Sequence, residues 1–317
     1  MSLTEPLFPP NSSWKPPSTF PNLTGCKILG LDCETKDPNL LNMGPGTLRK
    51  DGYVVGISIA TEDSKWYFPI AHEGGGNLDK NKVIQYFKDV LKTTTPKVGA
   101  NILYDLEWLK GDLGITVNGP LYDIQVAEPL LNEDRKGGYS LQRLAESYLG
   151  QQKEEQLLEE AAKAHGVDPK GGLWRLHSKY IGPYAEEDAQ LPIRIFAAQR
   201  KQLEKESLWE LFKLETDIIP CLLSMRFLGV RVDIEKAYEV SKQIMNEERR
   251  IQNDLRINPW SGKDLLQLFT KKGIPIRYTD SGNPSFTREY LESLDHPDAK
   301  KVVQFRILSK NRRDFID

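Results

Sequence analysis

Four acidic residues and one tyrosine fall in three short segments of this 317-residue chain, at spacings that suit metal chemistry. In CKILGLDCETK, Asp32 and Glu34 stand two apart at the end of an apolar run, and that spacing puts both side chains on one face of a strand. Like charges so placed repel unless a cation lies between them, and hard carboxylate oxygens suit Mg²⁺ or Mn²⁺. In VGANILYDLEWL, Asp105 lies one helical turn after Asn101, beside apolar neighbours. In YIGPYAEEDAQ, Tyr184 and Asp188 are four apart and share a helix face, with the small Ala185 admitting close approach. Taken singly, each segment reads as readily as a loop edge, a core tyrosine or a surface acid. The ordered combination is much rarer by chance.

These side chains need a scaffold, and hydrophobic periodicity outlines one. Prolines at 6, 9, 10, 16, 17 and 21 predict an extended N-terminal arm over 1–21. Strands are expected at 26–33, 53–60, 65–70 and 97–100, with a Gly/Pro-rich loop at 36–51. From residue 77 the period becomes helical, with Val83, Ile84, Phe87, Val90 and Leu91 on one face. Asn101 is placed to cap the helix that carries Tyr104, Asp105 and Trp108. Further helices are expected at 123–131, 140–149, 155–165 and 184–208, giving an α/β domain, a mixed sheet flanked by helices, that ends near 210. Beyond it, helical spacing over 208–227, 235–255, 262–272 and 288–317 predicts a mainly α-helical segment over 211–317.

Composition sets limits. At 39% hydrophobic and 28% charged residues with a mean hydropathy of -0.50, the chain is of globular type rather than disordered. No apolar run is long enough to span a membrane, and the N-terminus lacks a secretory pattern. Cys26, Cys33 and Cys221 form no CxxC pair, which argues against a disulfide framework or zinc site and for a reducing, cytoplasmic setting. The four histidines show no ligand spacing, and no GxxxxGK[ST] loop is present. Residues 226–317 carry a charge of +4 and the remainder -6, a bias that ordinary surface variation explains as well as a backbone-binding tail does.

The three segments resemble the exonuclease motifs of the DEDD superfamily of 3′-to-5′ exonucleases, in the subgroup with tyrosine in the third motif. Pro183 stands where the histidine subgroup would have its histidine. The resemblance implies a ribonuclease H-like fold over 22–210 and two divalent cations, Mg²⁺ or Mn²⁺, held by Asp32, Glu34, Asp105 and Asp188, with Tyr184 orienting the attacking water. It also implies that Thr35 and Asn101 contact the terminal nucleotide, although capping accounts for Asn101 equally well. For Leu40 and Tyr104, ordinary packing is the better reading.

Downstream, LETDIIPCLLSMRFLGVRVDIEKA resembles the segment that joins exonuclease to thumb in family A (polymerase I-like) DNA polymerases, through Glu215, Pro220, Leu222, Met225, Gly229, Val230, Val232 and Asp233. Ser309 and Lys310 match the thumb's S-K pair. The implied activity is a proofreading-type DNA exonuclease acting on single-stranded 3′ ends or a primer-template, in a bacterial or phage-infected cell. Palm and fingers are not matched, so polymerisation is expected to need a further region or subunit, and Val302, Val303, Phe305 and Leu308 are expected to lack part of their core. A ribonuclease D-like exoribonuclease and a non-catalytic DNA-binding module are the alternatives.

Overall fold

The computed structural model describes residue 6 and residues 9–317; the part of the N-terminal arm at 1–5, 7 and 8 lies outside the described residues. The chain forms two compact units, Met1–Gly229 and Val230–Asp317.

The first unit is built on a five-stranded mixed sheet. Its strands are β1 (Leu29–Lys36), β2 (Tyr53–Ala60), β3 (Lys65–Pro69), β4 (Lys97–Gly99) and β5 (Leu121–Asp123), in the order β3-β2-β1-β4-β5. The meander β1-β2-β3 is antiparallel, whereas β4 and β5 add in parallel through helical crossovers. The helices are α1 (Leu40–Met43), α2 (Lys80–Leu91), α3 (Ile102–Gly111), α4 (Ile124–Leu131), α5 (Leu141–Leu149), α6 (Gln156–His165), α7 (Ser178–Lys205), α8 (Trp209–Asp217) and α9 (Ile219–Leu228). This is a ribonuclease H-like α/β arrangement. Among the described residues no helix is long and apolar enough to cross a membrane.

The central strand explains how the site is set. Leu29, Leu31 and Cys33 point into a core with Val83, Phe87, Trp108 and Leu109. The alternate residues Gly30, Asp32 and Glu34 therefore face α7. A side chain at Gly30 would sit 1.8 Å from the Ala189 carbonyl oxygen, so glycine there is what lets α7 lie close against β1. β1 is three residues later than the apolar run suggested, placing Asp32 and Glu34 inside the strand rather than at its end. Pairing with β2 continues to Lys36↔Tyr53, with a bulge between Glu34 and Thr35, and these backbone bonds extend the strand past its last apolar residue.

α7 also starts earlier than expected and runs through Pro183 and Pro192. Pro183 has no N–H for the Lys179 carbonyl, and the Ser12 hydroxyl of the arm donates to that oxygen instead, at 2.8 Å. Beside it, Trp14 covers Gly182, where any Cβ would meet the indole at 2.1 Å, and its Nε1 donates to Glu186 Oε1 at 3.0 Å. Further along the arm, Phe20 stacks on Phe68 and the Tyr86 hydroxyl donates to the Pro21 carbonyl. The arm is thus docked onto α7 and the sheet.

The compact unit continues past the boundary at 210 read from the sequence. Phe212 is buried with Tyr122 and Phe196 packed against it, and Ile219 is buried with Ile102, Leu106 and Leu121. The second unit comprises α10 (Ile234–Leu255), α11 (Gly262–Lys272), β6 (Arg277–Tyr278), β7 (Pro284–Ser285), α12 (Arg288–Ser293) and α13 (Pro297–Phe315). It has its own core, in which Val302 and Phe305 are buried with Ile251, Leu255, Leu265 and Phe269, while Val303 and Leu308 pack against it. The expectation that these positions lack part of their core is corrected for Val302 and Phe305, for which α10 and α11 supply it, while Val303 and Leu308 stay half-buried.

Candidate active site

Asp32 and Glu34 from β1 and Asp188 from α7 bring one carboxylate oxygen each within 4.8 Å of one another. Glu34 and Asp188 are buried, and both Asp188 carboxylate oxygens lie against the Lys153 ammonium. A largely buried set of hard, anionic oxygens brought this close fits a divalent cation. Asp105 lines the same cavity from α3 but is not in that three-way cluster; its Oδ1 accepts from the Cys33 backbone N–H at 2.9 Å, tying α3 to β1. Tyr184 also lines the cavity, one turn before Asp188 on α7. The cavity has a volume of about 510 Å³, and Thr35, Leu40 and Asn101 contribute to its wall.

Removal from water dominates the electrostatics. Burial, reinforced by the Asp188 charge, pushes Asp32 up to about 7 against partial relief from Lys153. Burial and then the Asp32 charge hold Glu34 and Asp105 well above the usual carboxylate range. Burial likewise raises Asp188, with Lys153 opposing. The Tyr184 phenol is raised well above its ordinary value by burial and then by Asp188, so it keeps its proton at neutral pH.

The cap expected of Asn101 takes a different form. Asn101 occupies the N-cap position of α3 but is left-handed, with φ 61°, and its side chain makes no cap hydrogen bond. The Asp123 carboxylate does that work, accepting from Asn101 N at 3.1 Å and Ile102 N at 2.8 Å. This leaves the Asn101 side chain exposed at the cavity wall. The Thr35 hydroxyl is 2.7 Å from the Tyr104 hydroxyl, which in turn donates to Asp37 Oδ2 at 3.2 Å.

Sequence reasoning missed three cations. Lys170 and Arg226 line the cavity, Arg226 paired with Glu107 at 2.6 Å, and Lys153 pairs with Asp188. Lys153 lies in the polar stretch QQKEEQ, where no periodicity distinguishes it from a solvated loop.

A ribonuclease H-like sheet with clustered carboxylates on its central strand and facing helix defines a nuclease class. The chain belongs to the 3′-5′ exonuclease family of family A DNA polymerases, whose family model matches residues 16–204. It is 37% identical over 330 residues to a DNA-directed DNA polymerase of Pseudomonas phage M6, covering 99% of this chain and 49% of that protein. It is 28% identical to DNA polymerase DpoZ of Salmonella phage PMBT28, covering 94% of this chain and 48% of that protein. The chain spans about half the length of the curated relatives it matches. Among solved structures it resembles the POL domain of Pol1 from M. smegmatis in complex with DNA primer-template and dNTP, with a TM-score of 0.66 at 16% identity over 92% of this chain and 46% of that one.

Proposed function

We propose that this chain is a metal-dependent 3′-to-5′ exonuclease that releases nucleoside monophosphates from single-stranded or frayed DNA 3′ ends, as the proofreading part of a family A DNA polymerase. The observation that carries the reading is the convergence of Asp32, Glu34 and Asp188 beside Tyr184 in one cavity. The polymerase relatives and the primer-template complex of the structural neighbour favour DNA as substrate. Nucleotide synthesis would belong to the part of those relatives that this chain does not match.

Asp32, Glu34 and Asp188, with Asp105 opposite, would hold two divalent cations, which when bound supply charge neutralisation at the scissile phosphate and acidify the attacking water. The chain's own groups do the positioning. Tyr184, protonated at neutral pH, is a hydrogen-bond donor and acceptor rather than a base, so its role is to orient the water. Asn101 and Thr35, which line the cavity, would border the terminal nucleotide. An unpaired end is preferred because a terminus must leave its duplex to enter a pocket.

The test is digestion of matched 3′-labelled DNA and RNA oligonucleotides with Mg²⁺ or Mn²⁺, by the wild type and by the Asp32→Ala, Glu34→Ala double variant. Loss of at least ~10³-fold in DNA turnover is expected from removing two carboxylates of the metal set. Double-variant turnover near wild type overturns the site, and faster digestion of RNA overturns the substrate.

A further inference from the structure

We propose that Lys153 is a positioning residue of the exonuclease site: its ammonium stands in for a cation at Asp188, yields that carboxylate to a metal ion, and then braces Tyr184. The proposal rests on the metal-dependent reading above. Lys153 Nζ is 2.6 Å from each Asp188 carboxylate oxygen, 3.5 Å from Glu155 Oε1 and 4.3 Å from the centroid of the Tyr184 ring. The Lys153 side chain is only 7% exposed. It therefore touches both members of the third motif at once.

The loop that delivers the lysine, between α5 and α6, is itself fixed. Gln142 Oε1 accepts from the Lys153 backbone N–H at 3.2 Å, the Lys153 carbonyl accepts from Glu155 N at 3.0 Å, and Arg194 of α7 donates to Gln151 at 2.7 Å. A lysine presented from a pinned backbone into a nest of three carboxylates is a built contact, unlike a surface pair whose two long side chains wander.

Charge and reach give the sequence of events. Asp32, Glu34 and Asp188 concentrate three potential negative charges where, among the described residues, Lys153 is the cation paired with Asp188. The Lys153 ammonium would be repelled by a divalent ion held in this cluster, and its four-carbon stem would let the charge move without moving the loop. Its remaining partners are Glu155 and the face of the Tyr184 ring, where a cation is attracted by the ring quadrupole. Lys153 thus competes with metal for Asp188 and, once displaced, limits the freedom of the Tyr184 ring.

The two roles push two observables in opposite directions. Calorimetric titration of the full chain with Mn²⁺ alone, without nucleic acid, should give roughly tenfold tighter binding for Lys153→Met, within the ordinary range of coupling between two ligands of one site. With saturating Mn²⁺, turnover of a 3′-labelled oligonucleotide should fall roughly tenfold with KM little changed, because the displaced cation no longer braces the ring. Lys153→Arg, which keeps the charge, should restore both values to within about threefold of wild type. A role in folding alone would weaken Mn²⁺ binding and turnover together. Unchanged or weaker Mn²⁺ binding by folded Lys153→Met overturns the proposal. If Lys153→Met does not fold, Glu155→Gln decides: removing the fallback partner should weaken Mn²⁺ binding several-fold, and unchanged binding refutes the exchange. Wild type that binds Mn²⁺ but cleaves nothing sinks the functional reading while leaving the exchange between Lys153 and metal readable.

Discussion

Replacing Ser12 with alanine should destabilise the protein mainly because Pro183 is present. In an unbroken helix the Lys179 carbonyl would accept from the backbone N–H of residue 183; proline removes that donor, and the Ser12 hydroxyl supplies one from outside at 2.8 Å. A neutral hydrogen bond contributes about 0.5–1.5 kcal/mol net, and leaving a partly buried carbonyl unpaired adds to the loss, so Ser12→Ala should cost about 1–2 kcal/mol. In a Pro183→Ala background the helix pairs its own carbonyl, and the same Ser12→Ala change should cost only what the longer 3.3 Å bond from the Trp14 N–H to the hydroxyl contributes. The coupling energy from this double-mutant cycle is then about 1 kcal/mol, measurable by urea unfolding of the four proteins. Amide exchange over 178–187 locates the effect, because opening should be confined to the turns that precede Tyr184. Equal costs of Ser12→Ala in both backgrounds would refute the reasoning, since the hydroxyl would then be stabilising something other than the proline gap.

Trp14→Ala strips the indole from Gly182 and its hydrogen bond from Glu186, and should cost about 2–4 kcal/mol, less than a fully buried tryptophan because the ring is half-exposed; thermal melts check it. Gly30→Ala drives a methyl into the Ala189 carbonyl, so a loss of about 1–3 kcal/mol is expected, with a fall in turnover as α7 is pushed off β1; wild-type stability would show that the two elements are not in close contact. Burial depresses His72 to about 4 from an ordinary value near 6.5. A lowered histidine contributes stability that is present above the unfolded value and is lost as pH falls through the folded one. His72→Gln should therefore recover up to about 3 kcal/mol relative to wild type as pH falls from about 6.5 to 4, measured by urea unfolding across that window. Truncation after Gly229 should leave single-strand exonuclease turnover largely intact, whereas truncation after Glu215 should lower the melting temperature, because buried Thr216 and Ile219 are lost.

Much of the site was legible before any coordinates. Asp32 and Glu34 do share a strand face, and Tyr184 and Asp188 do share α7, because periods of 2 and 3.6 are local properties of the backbone. Ser140 caps α5 and Gly150 ends it in a left-handed turn, as their side-chain chemistry requires. Errors arose where a distant group took over a local task. Asp123 caps α3 in place of Asn101, and Ser12 repairs a helix that was expected to begin only after Pro183. The polar end of β1 was invisible in an apolar run because its partner is β2, not its own side chains.

The sequence alone therefore determined the kinds of groups, their local faces and the family resemblance, since these depend on residue type and on spacings of a few positions. Only the tertiary structure decided which faces meet. Asp32 and Glu34 approach Asp188 because glycine at 30 admits α7, and Lys153 reaches Asp188 from a loop with no distinguishing pattern. Charges separated by scores of residues interact only after packing has removed the water between them, and no local period of the chain encodes that distance.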